Sequence, residues 1–257
     1  MSKSIKYKLI SALSITIFLL IWEIATDVLH IKPSFVLPSP IKVFHVLIVK
    51  MTSTSPDGST LPIHILASLK VALLGFLSGA IVGSPLGILM AWNKKVDMAV
   101  RPVFDLLRTI PPIGWIPIMI LLLGIGTQAK VAVIFLCSFI PCLINSYTGI
   151  KQTSQIHLWT GQIFGATNMQ LLRKIAIPTA LPFVFTGLRV SLSISWMTLV
   201  AAELLAATKG VGYMMQIART IGRADIIVLG MLVIAVLGSV LFMVLEFVEK
   251  KFVKGWF

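Results

Sequence analysis

Long apolar runs separated by short polar stretches recur along the whole chain. Apolar residues make up 57% of its 257 residues, and only 12% are charged. A bilayer-spanning helix needs about 20 largely apolar residues, because the hydrocarbon core is about 30 Å thick. We therefore predict an all-α integral membrane protein, a single transmembrane domain over residues 1–257, with six transmembrane helices at about 9–28, 63–92, 102–124, 131–150, 178–206 and 226–248.

The positive charge is spread between the apolar runs. The net charge is +13, and Lys and Arg concentrate in the cytoplasmic loops of membrane proteins. Lys3, Lys6 and Lys8 precede the first run, and Lys250 and Lys251 follow the last one. We therefore expect both termini in the cytoplasm. No small-residue cleavage site follows the first run, which favours an uncleaved span over a signal peptide.

Several kinds of chemistry have no residues to support them. The sequence contains no GxxxxGK[ST] phosphate loop, no HExxH pattern and no evident Ser/His/Asp arrangement. Its two cysteines, Cys137 and Cys142, lie in one apolar run, where we expect them to be buried and reduced. A basic stripe with interleaved aromatic residues, typical of nucleic-acid binding, is also missing. We expect no catalysis, metal, cofactor or nucleic acid for this chain.

Four glycines recur at a spacing of four in the second predicted span. This spacing places Gly75, Gly79, Gly83 and Gly87 on one face of a helix. Glycine stripes let membrane helices approach closely. Static packing is the favoured interpretation, and a sliding surface for alternating access is the other.

Prolines interrupt the third predicted span. Pro111, Pro112 and Pro117 cannot donate helix hydrogen bonds, so we expect the middle of this span to be kinked or unwound. The span follows a turn marked by Asn93-Lys94-Lys95 and Arg101, which we place in the cytoplasm.

The fifth predicted span has two distinct faces. An ionisable residue within a span should face protein or water, so Glu203 is a candidate for the outer mouth of a pathway, or else a structural glutamate bonded to Thr208 or a neighbouring loop. One face carries Arg189, Trp196 and Glu203, and the other carries the small residues Gly187, Ser191, Ser195, Thr198 and Ala202.

Two segments between spans are predicted to lie outside the cell. Residues 31–62 hold five prolines and form a long loop, with an amphipathic piece around Ile41 to Met51. Tyr213 to Ile221 can form a short helix after the break at Gly210 and Gly212. This helix is either an outer lid or a packing plug.

The stretch after the fourth span carries the most specific pattern. It begins with an amphipathic segment that ends at the basic pair Arg173 and Lys174 and cannot cross a bilayer. The pattern resembles the cytoplasmic loop by which ABC-importer permeases dock on their ATPases. The residues that carry this resemblance are Gly165-Ala166-Thr167, the basic pair, Pro178-Thr-Ala-Leu-Pro182 and Gly187-Leu188-Arg189. Trp159, Thr160 and Gly161 stand where that family has Glu-Ala-Ala.

Further motifs narrow the resemblance to the nitrate, taurine and alkanesulfonate type of permease. They are Leu37-Pro-Ser-Pro40, Arg108-Thr-Ile-Pro-Pro112 and the stretch that begins with Ala202-Glu-Leu-Leu. The resemblance implies a cytoplasmic coupling helix between spans four and five, in a coupling loop over residues 151–177. Within it, Gly165 would be the bend, and Leu171 and Leu172 the apolar anchors. The expected ATPase contacts are Gly161, Gln162, Phe164, Gly165, Ala166, Thr167, Gln170, Leu171, Leu172 and Arg173.

The resemblance also implies the partners. They are two ABC ATPase subunits that hydrolyse ATP, a second permease chain forming a homodimer, and an extracytoplasmic substrate-binding protein, assembled in the bacterial inner membrane around a multi-pass permease. Arg108 is either an attractor of an anionic substrate or a snorkelling residue of the cytoplasmic side. Candidates for the translocation pathway are Arg108, Trp115, Ser191, Ser195, Trp196, Thr198 and Glu203.

The resemblance implies a small anion such as sulfonate, taurine or nitrate as substrate. A permease of the same family for a vitamin or vitamin precursor is the first alternative. An ion-gradient-driven secondary transporter is the second, but such proteins are built from internal repeats, and no repeat is visible here.

Overall fold

A computed structural model describes residues 3–29, 31, 33 and 36–253, with the side chains of residues 3–9, 11, 12, 206 and 253 left out of the description. Helices form the regular structure of these residues. In chain order they are α1 (Lys3–Glu23), α2 (Pro40–Thr52), α3 (Leu61–Trp92), α4 (Lys94–Leu107), α5 (Trp115–Leu123), α6 (Thr127–Lys151), α7 (Gln155–Ile163), α8 (Asn168–Leu171), α9 (Ile177–Ala206), α10 (Val211–Thr220) and α11 (Ala224–Val253). Single π-helical segments follow α1 (Ile24–Val28) and α8 (Leu172–Ala176). The all-helical expectation is confirmed for the described residues.

The described helices long and apolar enough to cross a membrane number four, or five if a bent pair counts as one span. The four are α3, α6, the helical stretch Asn168–Leu205 and α11. The bent pair joins α4 to Pro112–Leu123. Helix α1, where we predicted the first span, is not among them, so a total of six spans stays a prediction.

The third predicted span is broken, as its prolines indicated. Helix α4 and the segment that begins at Pro112 meet at 81°. The turn expected before this span is instead helical: α4 begins at Lys94, where the Asn93 side chain accepts a hydrogen bond from the Lys95 N–H (2.9 Å) and caps the helix. Pro117 lies in the first turn of α5, where its missing N–H has no partner to lose.

The chain divides into two compact units. The first unit comprises residues 1–66 and 209–235, and the second comprises residues 67–208 and 236–257. In the first unit, α10 packs its apolar side into a core with α2: Met214 and Ala218 are buried together with Val43 and Val46. This burial is that of a packed helix, so of the two interpretations of α10 the plug agrees better with the structure than a free lid.

The second unit is held together by close approach of helix backbones. A Cβ added at Gly79 would lie 2.6 Å from the Phe135 carbonyl oxygen on α6, and one added at Gly87 would lie 2.3 Å from the Leu143 carbonyl oxygen. Any side chain larger than hydrogen would therefore push α3 and α6 apart. The static-packing interpretation of the glycine stripe is the one that this geometry supports.

Candidate functional site

The coupling loop reverses direction at Gly165. This residue has φ 77°, a left-handed conformation that glycine adopts without steric cost. Its N–H donates to the Gln162 carbonyl (2.9 Å), and the Ala166 N–H donates to the Gly161 carbonyl (3.0 Å). These two bonds are the Schellman arrangement that ends a helix at a left-handed glycine. The bend therefore lies at the residue where we predicted it, between α7 and α8.

A capping box starts the next helix two residues later. The Gln170 N–H donates to Thr167 Oγ1 (3.4 Å), while the Thr167 N–H donates to Gln170 Oε1 (2.8 Å). The two side chains thus satisfy backbone groups that a helix start leaves free. Both residues were predicted ATPase contacts, and in the structure each has a local role in fixing the loop's conformation.

Leu171 and Leu172, the expected apolar anchors, are buried within the chain. They are 3% and 6% exposed, and Leu172 packs with Ala91 and Ile150 of the neighbouring helices. These side chains thus fix the loop to its own chain, and their contact with an ATPase stays a prediction. Gly161 packs against Leu171, since a Cβ added at Gly161 would lie 2.5 Å from the Leu171 side chain.

Large apolar side chains are exposed on the α7 side of the bend. Phe164 is 85% exposed and Ile163 is 83% exposed, with Ile156 and Trp159 also on the surface. A cavity of about 510 Å³ lies between this side and the start of α9, and its lining includes Phe164, Gly161 and Pro178. Gln162, Thr167, Gln170 and Arg173 are exposed as well, and Ala166 is half-buried.

The sequence-based prediction included Phe164 but missed Ile156, Trp159 and Ile163. The sequence does carry a helical pattern that indicates them. Ile156, Trp159, Ile163 and Phe164 recur at intervals of three, four and one along a segment too polar to span a bilayer.

The coupling loop runs into α9 without a break. Helical structure continues from Asn168 to Leu205, with a π-helical segment, Leu172–Ala176, just before Pro178. A π turn shifts the hydrogen-bond pattern by one residue, and a proline in a helix lacks the N–H that this pattern would use. The start of α9 therefore tolerates Pro178 and remains one continuous rod.

The predicted pathway residues on α9 are packed inside the chain. Ser191, Ser195, Trp196, Thr198 and Glu203 are all buried. Ser191 Oγ lies 3.3 Å from Ser138 Oγ of α6 and accepts a hydrogen bond from Cys142 Sγ (3.4 Å). The small residues among them pack closely, and none of the five lines an open surface in this conformation.

The uncovered face of α9 is a different one. Thr186, Val190 and Met197 are exposed along it, with Ser193 half-buried between them. These residues recur at intervals of three and four and so form one stripe on the helix. Sequence reasoning did not single out this exposed stripe.

Glu203 is held by a residue from another helix. Its two carboxylate oxygens accept from Ser68 Oγ of α3 at 2.7 and 3.0 Å. The buried Lys130 of α6 interacts electrostatically with the same carboxylate. Ser68 is therefore a partner of this carboxylate, in addition to the candidates that we had considered, Thr208 or a neighbouring loop. Lys130 was overlooked, although a lysine at the start of an apolar run is a visible signal.

The two predicted arginines pair with carboxylates. Arg189 forms an ion pair with Glu249 of α11, which meets the expectation that it faces protein or water. Arg108 lies at the end of α4, 3.0 Å from Asp105, with about half of its side chain exposed. The indole nitrogen of the remaining candidate, Trp115, is buried without a hydrogen-bond partner among the described residues.

Comparison with known protein families decides which group this architecture represents. Residues 83–256 match the model of the binding-protein-dependent transport system inner membrane component. The chain belongs to this family. The match covers α9, the coupling loop before it and residues 83–208 and 236–256 of the second unit.

Curated relatives of this family member extend along nearly the whole chain. The taurine transport system permease protein TauC of Escherichia coli is 34% identical over 93% of this chain and 86% of its own length. The nitrate import permease protein NrtB of Synechocystis is 30% identical over the same shares. The putative aliphatic sulfonates transport permease protein SsuC of Bacillus subtilis is 32% identical over 93% of this chain and 84% of its own.

A solved structure shares the fold of this family member. It is a chain of the MetNI methionine ABC transporter in an inward-facing conformation, with a TM-score of 0.59 and 22% identity. The similarity covers 77% of this chain and 96% of that one. The resemblance to ABC permeases that the sequence motifs indicated is thereby confirmed at the level of family and fold.

Proposed function

We propose that this chain is the transmembrane permease subunit of an ATP-driven ABC importer. It forms the substrate pathway and is driven by separate ATPase subunits. The single observation that carries this proposal is the coupling loop, where a glycine reversal exposes Phe164 and Ile163 while the following leucines fix the loop to the chain's interior. Large apolar residues on a loop too polar to enter a bilayer are typical of a protein interface.

The proposal includes the topology. The chain crosses the inner membrane six times as one domain, with α1 as the first span and the bent pair α4 and Pro112–Leu123 as the third. Both termini and the coupling loop then lie in the cytoplasm, where the positive-inside rule places Lys151, Arg173 and Lys174. The loop between α1 and α3, together with α10, lies on the outer side.

Force passes from the ATPase to the pathway through the revised set of loop residues. Phe164, Ile163 and Trp159 contact the ATPase. Leu172 transmits the displacement, because its close packing against Ala91 of α3 and Ile150 of α6 cannot absorb it. The continuous helix from Asn168 to Leu205 then carries the displacement along α9.

The proposed substrate is a small anion, such as taurine, another sulfonate or nitrate. The support is the set of relatives named for those compounds, each similar over most of its length. A second copy of the chain completes the pathway, and the exposed stripe of α9 that contains Val190 and Met197 faces it. An extracytoplasmic binding protein delivers the anion.

Uptake into proteoliposomes tests the proposal. The permease is reconstituted with its ATPase and binding protein, and ATP hydrolysis and taurine uptake are measured together. Gly165→Val should abolish ATP-driven uptake, because a β-branched residue cannot adopt φ 77° without strain. Gly165→Asn is the matched control, since asparagine tolerates this conformation, and it should retain most of the uptake.

Two outcomes would contradict the proposal. Normal ATP-driven uptake with Gly165→Val would show that the bend does not transmit the motion. Uptake that follows a proton gradient with no ATPase present would favour a secondary transporter. Failure with taurine but ATP-driven uptake of another compound would correct only the substrate.

A further inference from the structure

Lys130 is a buried lysine without a contacting partner. It lies in the first turn of α6 and is 6% exposed, although lysine is almost never buried unless it is paired. Among the residues that the structure describes, no group forms an ion pair or a hydrogen bond with its ammonium. Its three donor hydrogens are therefore unused in this conformation. A lysine that reaches out to the membrane surface keeps its ammonium surrounded by water, and Lys130 leaves too little of its surface exposed for that.

The surroundings of Lys130 are unfavourable for a cation. Side chains in a helix point back towards its N-terminus, so the Lys130 side chain lies over the first turn of α6. The N–H groups of that turn carry partial positive charge, and Gly126 before them provides no side-chain acceptor. The nearby walls are apolar and include Ile116 of α5 and Ala202 of α9. An anion placed here would be bound by both the ammonium and the helix start.

Glu203 compensates this positive charge only from a distance. In the described part of the chain, its carboxylate interacts electrostatically with Lys130 but forms no ion-pair contact with it. Both carboxylate oxygens instead accept from Ser68 Oγ, at 2.7 and 3.0 Å. Buried charges that stabilise each other are normally joined by hydrogen bonds. Glu203 therefore offsets part of the cost of burying the lysine and leaves the ammonium hydrogens available to another acceptor.

Helix α5 covers Lys130. Ile116 and Ile120 of this helix line a cavity with Lys130 that is too narrow for a water molecule in this conformation. A substrate can therefore reach the ammonium only after α5 has moved. Helix α5 is nine residues long and lies between the 81° bend and Gly124, where φ is 77° and an added Cβ would meet nothing within 4 Å. A short helix between a break and an uncrowded turn can change its orientation at both ends.

We propose that Lys130 binds the anionic group of the substrate, in a site between α5, α6 and α9 that opens when α5 moves away from α6. This inference rests on the proposed function, which places the start of α6 on the outer side and makes the substrate a small anion. An oxyanion would accept charge-assisted hydrogen bonds from the ammonium and from the N–H groups of the first turn. These bonds replace part of the hydration that an anion loses inside the membrane.

Uptake kinetics in proteoliposomes test the inference. The wild-type transporter, reconstituted with its ATPase and binding protein, is compared with Lys130→Met, which keeps a long apolar side chain but removes the cation. The uptake rate at saturating taurine should fall by about tenfold or more, since a hydrogen bond to a charged group is lost. The half-saturating taurine concentration should change by about twofold at most, because the binding protein sets it. Lys130→Arg keeps a cation and should retain most of the rate.

A second comparison separates substrate binding from a structural role. Glu203→Gln removes the charge that a purely structural Lys130 would neutralise. If Lys130 binds the anion, Lys130→Met should lower the rate by a similar factor in the Glu203→Gln background and in the wild type. Loss of the Lys130→Met effect in the Glu203→Gln background would show that the lysine only neutralises Glu203, and it would overturn the inference.

Lys209→Met is the matched control for the same substitution. This lysine is exposed and does not line the cavity, so the uptake rate should change by about twofold at most. An equal effect of Lys209→Met and Lys130→Met would contradict a specific site at Lys130. Equal losses in Lys130→Arg and Lys130→Met would also contradict it, because the cation would then not be what matters.

The failure of this inference is distinguishable from failure of the proposed function. If wild-type uptake requires ATP, the ATPase and the binding protein, but Lys130→Met is as fast, the anion site is wrong and the function stands. If the wild type takes up substrate with no ATPase present, both fail. Co-purification of the ATPase with Lys130→Met checks that the variant folds and assembles.

Discussion

Two regions of the second unit use apolar residues in opposite ways. Where α3 meets α6, small residues bring the backbones so close that a Cβ at Gly87 would lie 2.3 Å from a carbonyl oxygen. In the coupling loop, large residues such as Phe164 are left on the surface. The first region has no room for a further side chain, whereas the second leaves large side chains uncovered, which the proposed function assigns to the ATPase. Contacts between helices of this chain therefore use small residues, and the proposed partner contact uses large ones.

This comparison predicts the largest loss of stability at the glycine stripe. Gly87→Leu should lower the free energy of unfolding by about 3 kcal/mol or more, because the side chain collides with backbone rather than with a flexible group. Thermal unfolding in detergent measures the effect. Gly126→Ala is the control, since a Cβ there meets nothing within 4 Å. Equal stability of Gly87→Leu and Gly126→Ala would contradict the claim that close backbone contact holds α3 against α6.

A smaller loss is expected where α3 meets α9. Ser68→Ala removes the hydroxyl that bonds both oxygens of the buried Glu203 carboxylate, which should cost about 1–3 kcal/mol. Thermal unfolding in detergent again measures this loss of stability. Glu203→Gln keeps an acceptor for Ser68, so we expect intact assembly with slower uptake. Unchanged uptake in Glu203→Gln would remove this residue from the transport mechanism.

Gly161 lies in the coupling loop against the buried Leu171 and should show an intermediate result. Alanine there would place its Cβ 2.5 Å from Leu171, at the end of a flexible side chain. We expect a loss of about 1 kcal/mol, because Leu171 can shift, together with reduced ATP-driven uptake. Uptake and unfolding measured on the same preparation check this. A stable Gly161→Ala variant with normal uptake would show that the contact between Gly161 and Leu171 does not transmit force to the pathway.

The smallest effect on stability belongs to Phe164. Replacing this exposed side chain with serine should change the free energy of unfolding by about 0.5 kcal/mol at most. ATP-driven uptake should nevertheless fall by about tenfold or more, because a large aromatic anchor leaves the interface. Phe164→Leu is the control and should retain most of the uptake. A large stability loss in Phe164→Ser would mean that the side chain is packed within the chain.

Local patterns in the sequence predicted the local structures. The family resemblance placed the bend at Gly165, and paired prolines indicated the break near Pro111. Both features depend on backbone geometry within a few residues. The stretch from Lys94 to Arg101 was expected to be a turn because of its charged residues. Their hydrogen bonds, with the Asn93 cap, instead support a helix.

Long-range contacts could not be predicted in the same way. Ser68 and Glu203 are 135 positions apart, and nothing near either residue indicates the other. The burial of Leu171 and Leu172 also depends on which helices surround them, so their amphipathic pattern could not distinguish an internal anchor from a docking contact. The exposed stripe of α9 depends on the same information, since the packing of α6 decides which face remains uncovered.

The most direct measurement of the central claim is the labelling of a cysteine placed at position 164. The native Cys137 and Cys142 are buried, so a membrane-impermeant maleimide should report on the new residue alone. The account predicts that Phe164→Cys is labelled in inverted vesicles, is protected there by the bound ATPase, and is not labelled in right-side-out vesicles. Labelling from the outside, or equal labelling with and without the ATPase, would contradict it.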